Sequence, residues 1–134
     1  MTITINGWAV VAAVVANFVV GGLWYSPALF LKPWMRMAQV EKPVFDAGLP
    51  KALLGDFVSA CLIAVTLAAA MRFMNVEHLV GGLLIAFWLW LGLVATTLLS
   101  SVTYEHRPWG FFAINAGYRL VTLMIMGVIF SLWR

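Results

Sequence analysis

Four stretches of this chain are almost continuously apolar, and its charged residues gather mainly between and beside them. The stretches cover residues 7–30, 52–74, 79–102 and 109–133. Each is long enough to cross a hydrocarbon core of roughly 30 Å at about 1.5 Å per helical residue. The pattern predicts an all-α integral membrane protein, a compact bundle of four transmembrane helices with short loops. All of it falls in one domain, residues 1–134. Composition agrees: 64% of residues are hydrophobic, 10% are charged, and mean hydropathy is +1.01. The first stretch reads as a retained span rather than a cleaved signal peptide. It is too long, and no Lys or Arg precedes it.

The first loop, residues 32–50, is the only sizeable one. Pro33 suits the first position of a short interfacial helix after the first span. Trp34, Met35 and Met37 would then lie toward lipid, with Arg36, Gln39 and Lys42 toward water. An irregular loop is the other reading of the same residues. Pro43, Gly48 and Pro50 interrupt the segment, and Pro50 suits the first turn of the second span. The two remaining loops are tight turns, which makes neighbouring helices antiparallel and adjacent. Trp8, Trp24, Tyr25, Trp34, Tyr104, Trp109 and Trp133 fall near span ends, as an interfacial aromatic belt would. Trp88 and Trp90 sit inside the third span, so packing or lipid contact is expected of them.

The formal charge of +3 changes the picture only through its distribution. Lys32, Arg36, Lys42, Lys51 and Arg107 share one face, against Arg72 and Arg134 on the other. The positive-inside rule then places the larger loop in the cytoplasm and both termini outside. No basic stripe interleaved with aromatics stands in an aqueous segment, so no nucleic-acid partner is expected. Cys61 is the single cysteine, and no intrachain disulfide can form.

Lipid chains are as apolar as leucine, so helices in a bilayer associate through close packing of small residues. The first span offers Ala9, Ala13, Asn17 and Gly21, and the second Ala60, Ala64 and Ala68. The third offers Gly92, Thr96 and Ser100, and the fourth Ala113 and Gly117. Such stripes serve contacts within a chain or between chains. Val20-Gly21-Gly22-Leu23 recurs as Val80-Gly81-Gly82-Leu83, but other local matches are out of register with it, and no duplication follows.

Arg119 lies about ten residues into the last span, on the order of 15 Å from Trp109. A central arginine costs roughly 2.5–3.5 kcal/mol on insertion, offset by the span's Leu, Ile, Val and Phe residues at about 0.3–0.6 kcal/mol each. It still needs a partner. Of the five acids, Glu77 is on the opposite face, and Glu41 and Asp46 are in the long loop. Glu105 is about 21 Å back along the helix. Asp56 remains, and the elimination predicts an Asp56–Arg119 pair between parallel spans two and four.

A polar set surrounds the pair. Asn115, Arg119, Thr122 and Met126 share one face of the fourth span, and Asp56, Ser59, Ile63 and Thr66 one face of the second. Asn17, Tyr25, Ser26, Thr96, Ser100 and Tyr118 are placed to close the ring. One reading is a network that fixes helix register in a bundle or dimer. The other is a cytoplasm-facing pocket for a small polar or anionic solute, anchored by Arg119. No Cys, His and carboxylate set has metal-ligand spacing, no Ser has a base beside it, and no phosphate loop is present. No catalytic residue, metal or cofactor is expected.

Gly22-Leu23-Trp24-Tyr25-Ser26-Pro27, followed by Leu29-Phe30 and Trp34-Met35, resembles the hallmark of a family of small bacterial membrane proteins, domain of unknown function 1761. Arg107-Pro108, Ile114 to Tyr118, and Gly127 to Trp133 resemble its closing helix, so the likeness covers nearly the whole chain. Leu31 stands where that family often has Gly. The resemblance implies a four-helix, multi-pass protein of the bacterial inner membrane and supplies no activity. Physically, Pro27 lacks an N–H and disfavours helix at Ser26, so the first span should kink or end there. Trp24 and Tyr25 would then anchor at headgroup depth, with Ser26 bonding the freed carbonyls. The second reading makes the break a pocket mouth beside Asn115 and Tyr118.

Two functions follow as expectations. The first is a homo-oligomeric module in the lipid bilayer, with a dimer favoured, whose polar core binds or passes a small solute. The second is a non-transporting accessory subunit that docks on a partner. Small drug exporters have similar length and four spans but carry an acid in the first span. Asn17 and the lack of any acid there argue against proton-coupled export. Loops this short leave little to build an enzyme.

Overall fold

The structure is a computed structural model that describes residues 4–38 and 49–133, and every element in it is helical. The elements are α1 (Gly7–Trp24), α2 (Leu31–Ala38), α3 (Leu49–Phe73), α4 (Leu79–Leu89), a π-helical stretch (Trp90–Ala95), α5 (Thr96–Thr103) and α6 (Trp109–Leu132). Four helices among the described residues are long and apolar enough to cross a membrane: Gly7–Trp24, Pro50–Phe73, Leu79–Thr103 and Trp109–Leu132. Gln39, Lys42, Pro43 and Gly48, which the sequence reading assigns to the interfacial segment and its break, lie outside the described residues. So do Glu41, Asp46 and Arg134.

Local chemistry sets the ends. Asn6 caps α1, its Oδ1 accepting from the N–H groups of Trp8 and Ala9 at 3.0 and 3.3 Å. The same helix stops at Trp24, six residues short of the apolar stretch that encodes it. Pro27 is the reason: the backbone turns through 25–30, and the Phe30 N–H closes on the Trp24 carbonyl at 3.1 Å. Ser26 Oγ donates to the Leu23 carbonyl at 2.7 Å, occupying an acceptor that the ended helix leaves open. The tight turns after α3 and α5 pass through left-handed residues, Asn75 at φ 52° and His106 at φ 56°.

Helix α6 is the hub, packing most extensively on α4 and α1, while α1 packs on α3. Between α1 and α3 the small-residue stripes meet: Ala9, Ala13, Asn17, Ala60, Ala64 and Ala68 are all buried. Lipid faces the other side of α1, where Val11, Val15, Val19 and Leu23 recur every fourth residue and are exposed. Helices α4 and α6 touch backbone to backbone. A Cβ on Gly127 would sit 2.9 Å from the Gly82 carbonyl oxygen, and one on Gly82 would sit 3.0 Å from that of Gly127. Contact this close is open only to glycine. Gly21, in the other Val-Gly-Gly-Leu copy, instead faces the Tyr118 hydroxyl, so the two copies occupy different registers.

The third span departs from the expected polar ring. Thr96 and Ser100, placed to close it, are exposed, as is Gly92. In a continuous α-helix Thr96 and Ser100 would lie within about 40° of the Gly82 face, at about 100° per residue. The π-helical stretch inserts one extra residue into the turn, which rotates everything after it by about the same angle. Ser101 is buried in place of Ser100. At the other end of the rotation, the Trp90 indole donates to the Ala116 carbonyl at 2.7 Å, while Trp88 faces lipid.

Candidate functional site: an intramembrane polar cluster

Helices α3 and α6 start from the same face, and Asp56 and Arg119 stand about 10 and 15 Å along them. Side chains lean toward a helix's N-terminus, which lowers the longer Arg119 toward the level of Asp56. Arg119 Nη2 and Asp56 Oδ1 are 3.7 Å apart, with the two side chains 20% and 35% exposed. That separation is an electrostatic contact rather than a hydrogen bond. The hydrogen bond goes elsewhere: Arg119 Nη1 donates to Asn17 Oδ1 at 3.1 Å. The guanidinium also lies over the Tyr118 ring, 5.0 Å from its centroid.

Two donor inventories are incomplete here. A guanidinium carries five N–H groups, and among the described residues Arg119 makes one hydrogen bond and one looser ion contact. Asn17 is 1% exposed, and its Nδ2 is buried without an acceptor among the described residues. Buried amides are paired with few exceptions, so each unpaired one needs a reason.

Above this level, toward the ends of α1 and α6, a second polar group forms. Asn115 Oδ1 accepts from the Tyr25 hydroxyl at 2.7 Å and from the Trp34 indole at 3.1 Å. An indole N–H can only donate, which identifies the accepting atom as the amide oxygen. Tyr25 meets Tyr118 and Trp34 edge to face at 5.3 and 5.8 Å, and Trp34 stacks on Phe111 at 6.3 Å. Tyr118 OH reaches the Asn17 carbonyl at 3.3 Å, joining the upper and lower groups.

The proposed anchors therefore turn inward. Trp24 donates its indole N–H to the Ile114 carbonyl at 2.9 Å and lays its ring against Gly117. Trp34, expected toward lipid, roofs the cluster, and Met37 packs toward Gly110. The physical reason is common to all three aromatics. Each carries one polar hydrogen that lipid tails cannot accept, and the first two turns of α6 offer acceptors beside small residues. Helix α2 is held in this fold-back by Arg107, whose Nη1 donates to the Met37 carbonyl at 3.3 Å.

Not every predicted member joins. Thr122 is buried but donates to the Arg119 carbonyl of its own helix at 3.1 Å. Ser59 is half-buried and makes no hydrogen bond among the described residues. Thr96 and Ser100 face outward, bonding carbonyls of their own span. Ser26 spends its hydroxyl on Leu23. Trp34 was missed as a member; its signal was an N–H seven residues past Pro27, close enough to return.

Fold and cluster together define a four-helix protein of the multi-pass membrane class with a polar centre in one half of its thickness. The chain belongs to the family described as Protein of unknown function (DUF1761), whose model matches residues 8–131. No curated protein and no solved structure matches it.

Proposed function

We propose that this protein is a membrane-embedded binding or transport module for a small solute bearing an acceptor oxygen, a carboxylate being the simplest. The observation that carries the reading is the pair of unfilled donors. Arg119 is held loosely by Asp56, and the buried Nδ2 of Asn17 has no acceptor among the described residues. A solute oxygen placed between them completes both, while Tyr25, Trp34 and Tyr118 supply aromatic walls. Asp56 then acts as a counter-ion that keeps the guanidinium tolerable when the solute is absent. The protein performs no covalent chemistry in this reading. It sits in the bacterial inner membrane with both termini outside, an orientation supported by the Lys and Arg distribution.

A second reading rests on the outward face of Gly92, Thr96 and Ser100. Small and weakly polar residues exposed along one helix suit close approach by another helix. That favours a homodimer or an accessory subunit docked on a partner, and it is compatible with the first reading.

Native mass spectrometry of gently solubilised protein tests both. A defined oligomer carrying a non-lipid molecule, lost in Asn17→Ala and Arg119→Lys while assembly persists, supports the binding module. Protein that carries lipid alone, with Arg119→Lys changing only thermal stability, favours the accessory subunit.

A further inference from the structure

Beside α2 lies a separate open cup of about 380 Å³, lined by Pro33, Arg36, Met37, His106 and Pro108. Its size falls within the roughly 300–1,000 Å³ of small-molecule sites. Two elements distant in sequence build it. Helix α2 contributes Pro33, Arg36 and Met37 at helical spacing, and the turn between the third and fourth spans contributes His106 and Pro108. The Arg107 bond to the Met37 carbonyl ties the two together.

Three features bear on what fills it. The polar part of the lining is a guanidinium and an imidazole, both N–H donors, with no acid among the described residues that line it. The remainder, Pro33, Met37 and Pro108, is apolar. His106 holds a left-handed backbone at φ 56°, a conformation that non-glycine residues adopt at a cost and that gathers at ligand clamps. The cup also sits just beyond the end of α1 and the start of α6, where a bundle whose spans cross a bilayer would meet its headgroups. Trp109 and Tyr104 are exposed beside it, as expected of side chains lying among headgroups.

We infer that this cup binds the phosphate of an anionic phospholipid headgroup, with Arg36 and His106 on the phosphate and Pro33, Met37 and Pro108 against the glycerol and first methylenes. A free aqueous phosphate would use the donors but leave the apolar half of the cup wet. A lipid uses both.

The test is a titration of delipidated full-length protein with phosphatidylglycerol, read by native mass spectrometry. Phosphatidylcholine of the same acyl chains and glycerol phosphate as a soluble competitor are run alongside. The first phosphatidylglycerol should bind more tightly than phosphatidylcholine and resist millimolar glycerol phosphate. Arg36→Gln should weaken it about five-fold, the worth of one cation near an anionic surface, and Arg36→Lys should retain most of the binding. His106→Asn, which keeps a side chain tolerant of the left-handed backbone, should also weaken it. Lys51→Gln removes a cation from the same face but outside the cup and should change nothing. Equal loss in Lys51→Gln and Arg36→Gln would reduce the site to general surface charge, and equal binding of the two lipids would remove its preference for an anionic headgroup; either result overturns the inference. Displacement of the lipid by glycerol phosphate would overturn it in favour of an aqueous anion. Thermal melts of each variant identify any that fail to fold; if Arg36→Gln does, His106→Asn against Lys51→Gln decides the question.

Discussion

Asn17 and Arg119, 102 residues apart, meet at 3.1 Å through the Nη1–H of the arginine and the Oδ1 of the amide. Arg119 thus has a neutral partner at hydrogen-bond distance and its counter-ion farther off, at 3.7 Å. A carboxylate at position 17 would stand where the amide does. Asn17→Asp should therefore rescue Asp56→Leu, recovering at least half of the lost stability by relocating the charge. Equilibrium unfolding in mixed micelles of the two single variants and the double reads this. A double variant less stable than Asp56→Leu would mean that position 17 cannot serve the guanidinium.

Arg119→Leu and Asp56→Leu should each lose about 2–3 kcal/mol. That is short of the roughly 3–5 kcal/mol of fully buried pairs, because both side chains are partly open. The double Leu variant should lose no more than either single, giving a coupling of about 2–3 kcal/mol. Additive losses in the same unfolding assay would show that the two charges are neighbours without being partners.

Where α4 crosses α6, Gly127→Ala presses a methyl against the backbone of Gly82, which cannot swing aside. A loss of about 1–3 kcal/mol is expected from such overpacking, and Gly82→Ala should behave alike. Gly22→Ala and Gly55→Ala meet nothing within 4 Å and should be neutral or gain up to about 1 kcal/mol from helix propensity. Thermal melts in one detergent separate the two sets. If all four behave alike, the crossing is looser than it is drawn here.

Asn115 accepts from two donors, so truncating it differs from truncating either donor. Tyr25→Phe and Trp34→Phe should each cost about 1 kcal/mol. Asn115→Leu should cost about 2–4 kcal/mol, because it strands both donors away from water. The same melts check this, and an Asn115→Leu variant as mild as Tyr25→Phe would mean that the roof opens to solvent without it.

Much of the architecture was legible because insertion into a bilayer depends on local composition. The apolar stretches located all four spans, and Pro27 located the end of the first, since a missing N–H acts within one turn. The Asp56–Arg119 contact was legible for a different reason. So few acids are present that elimination alone leaves one within reach, and stripes such as Ala9-Ala13 and Ala60-Ala64 needed only a fourfold spacing to be read.

What the sequence determined by itself is therefore the number and extent of the spans, their breaks, and the scarcity of partners for one buried cation. Tertiary structure decided which of the candidate stripes look inward. In lipid a span is apolar all round, so hydropathy carries no stripe to mark the core, and close approach has to choose it. Gly82 and Gly127 were chosen at one crossing, and the π-helical turn at Trp90–Ala95 moved Thr96 and Ser100 off the core face. The inward turn of Trp24, Tyr25 and Trp34 belongs to the same class. Their polar hydrogens needed acceptors, and only the folded chain placed the carbonyl of Ile114 and the amide of Asn115 within reach.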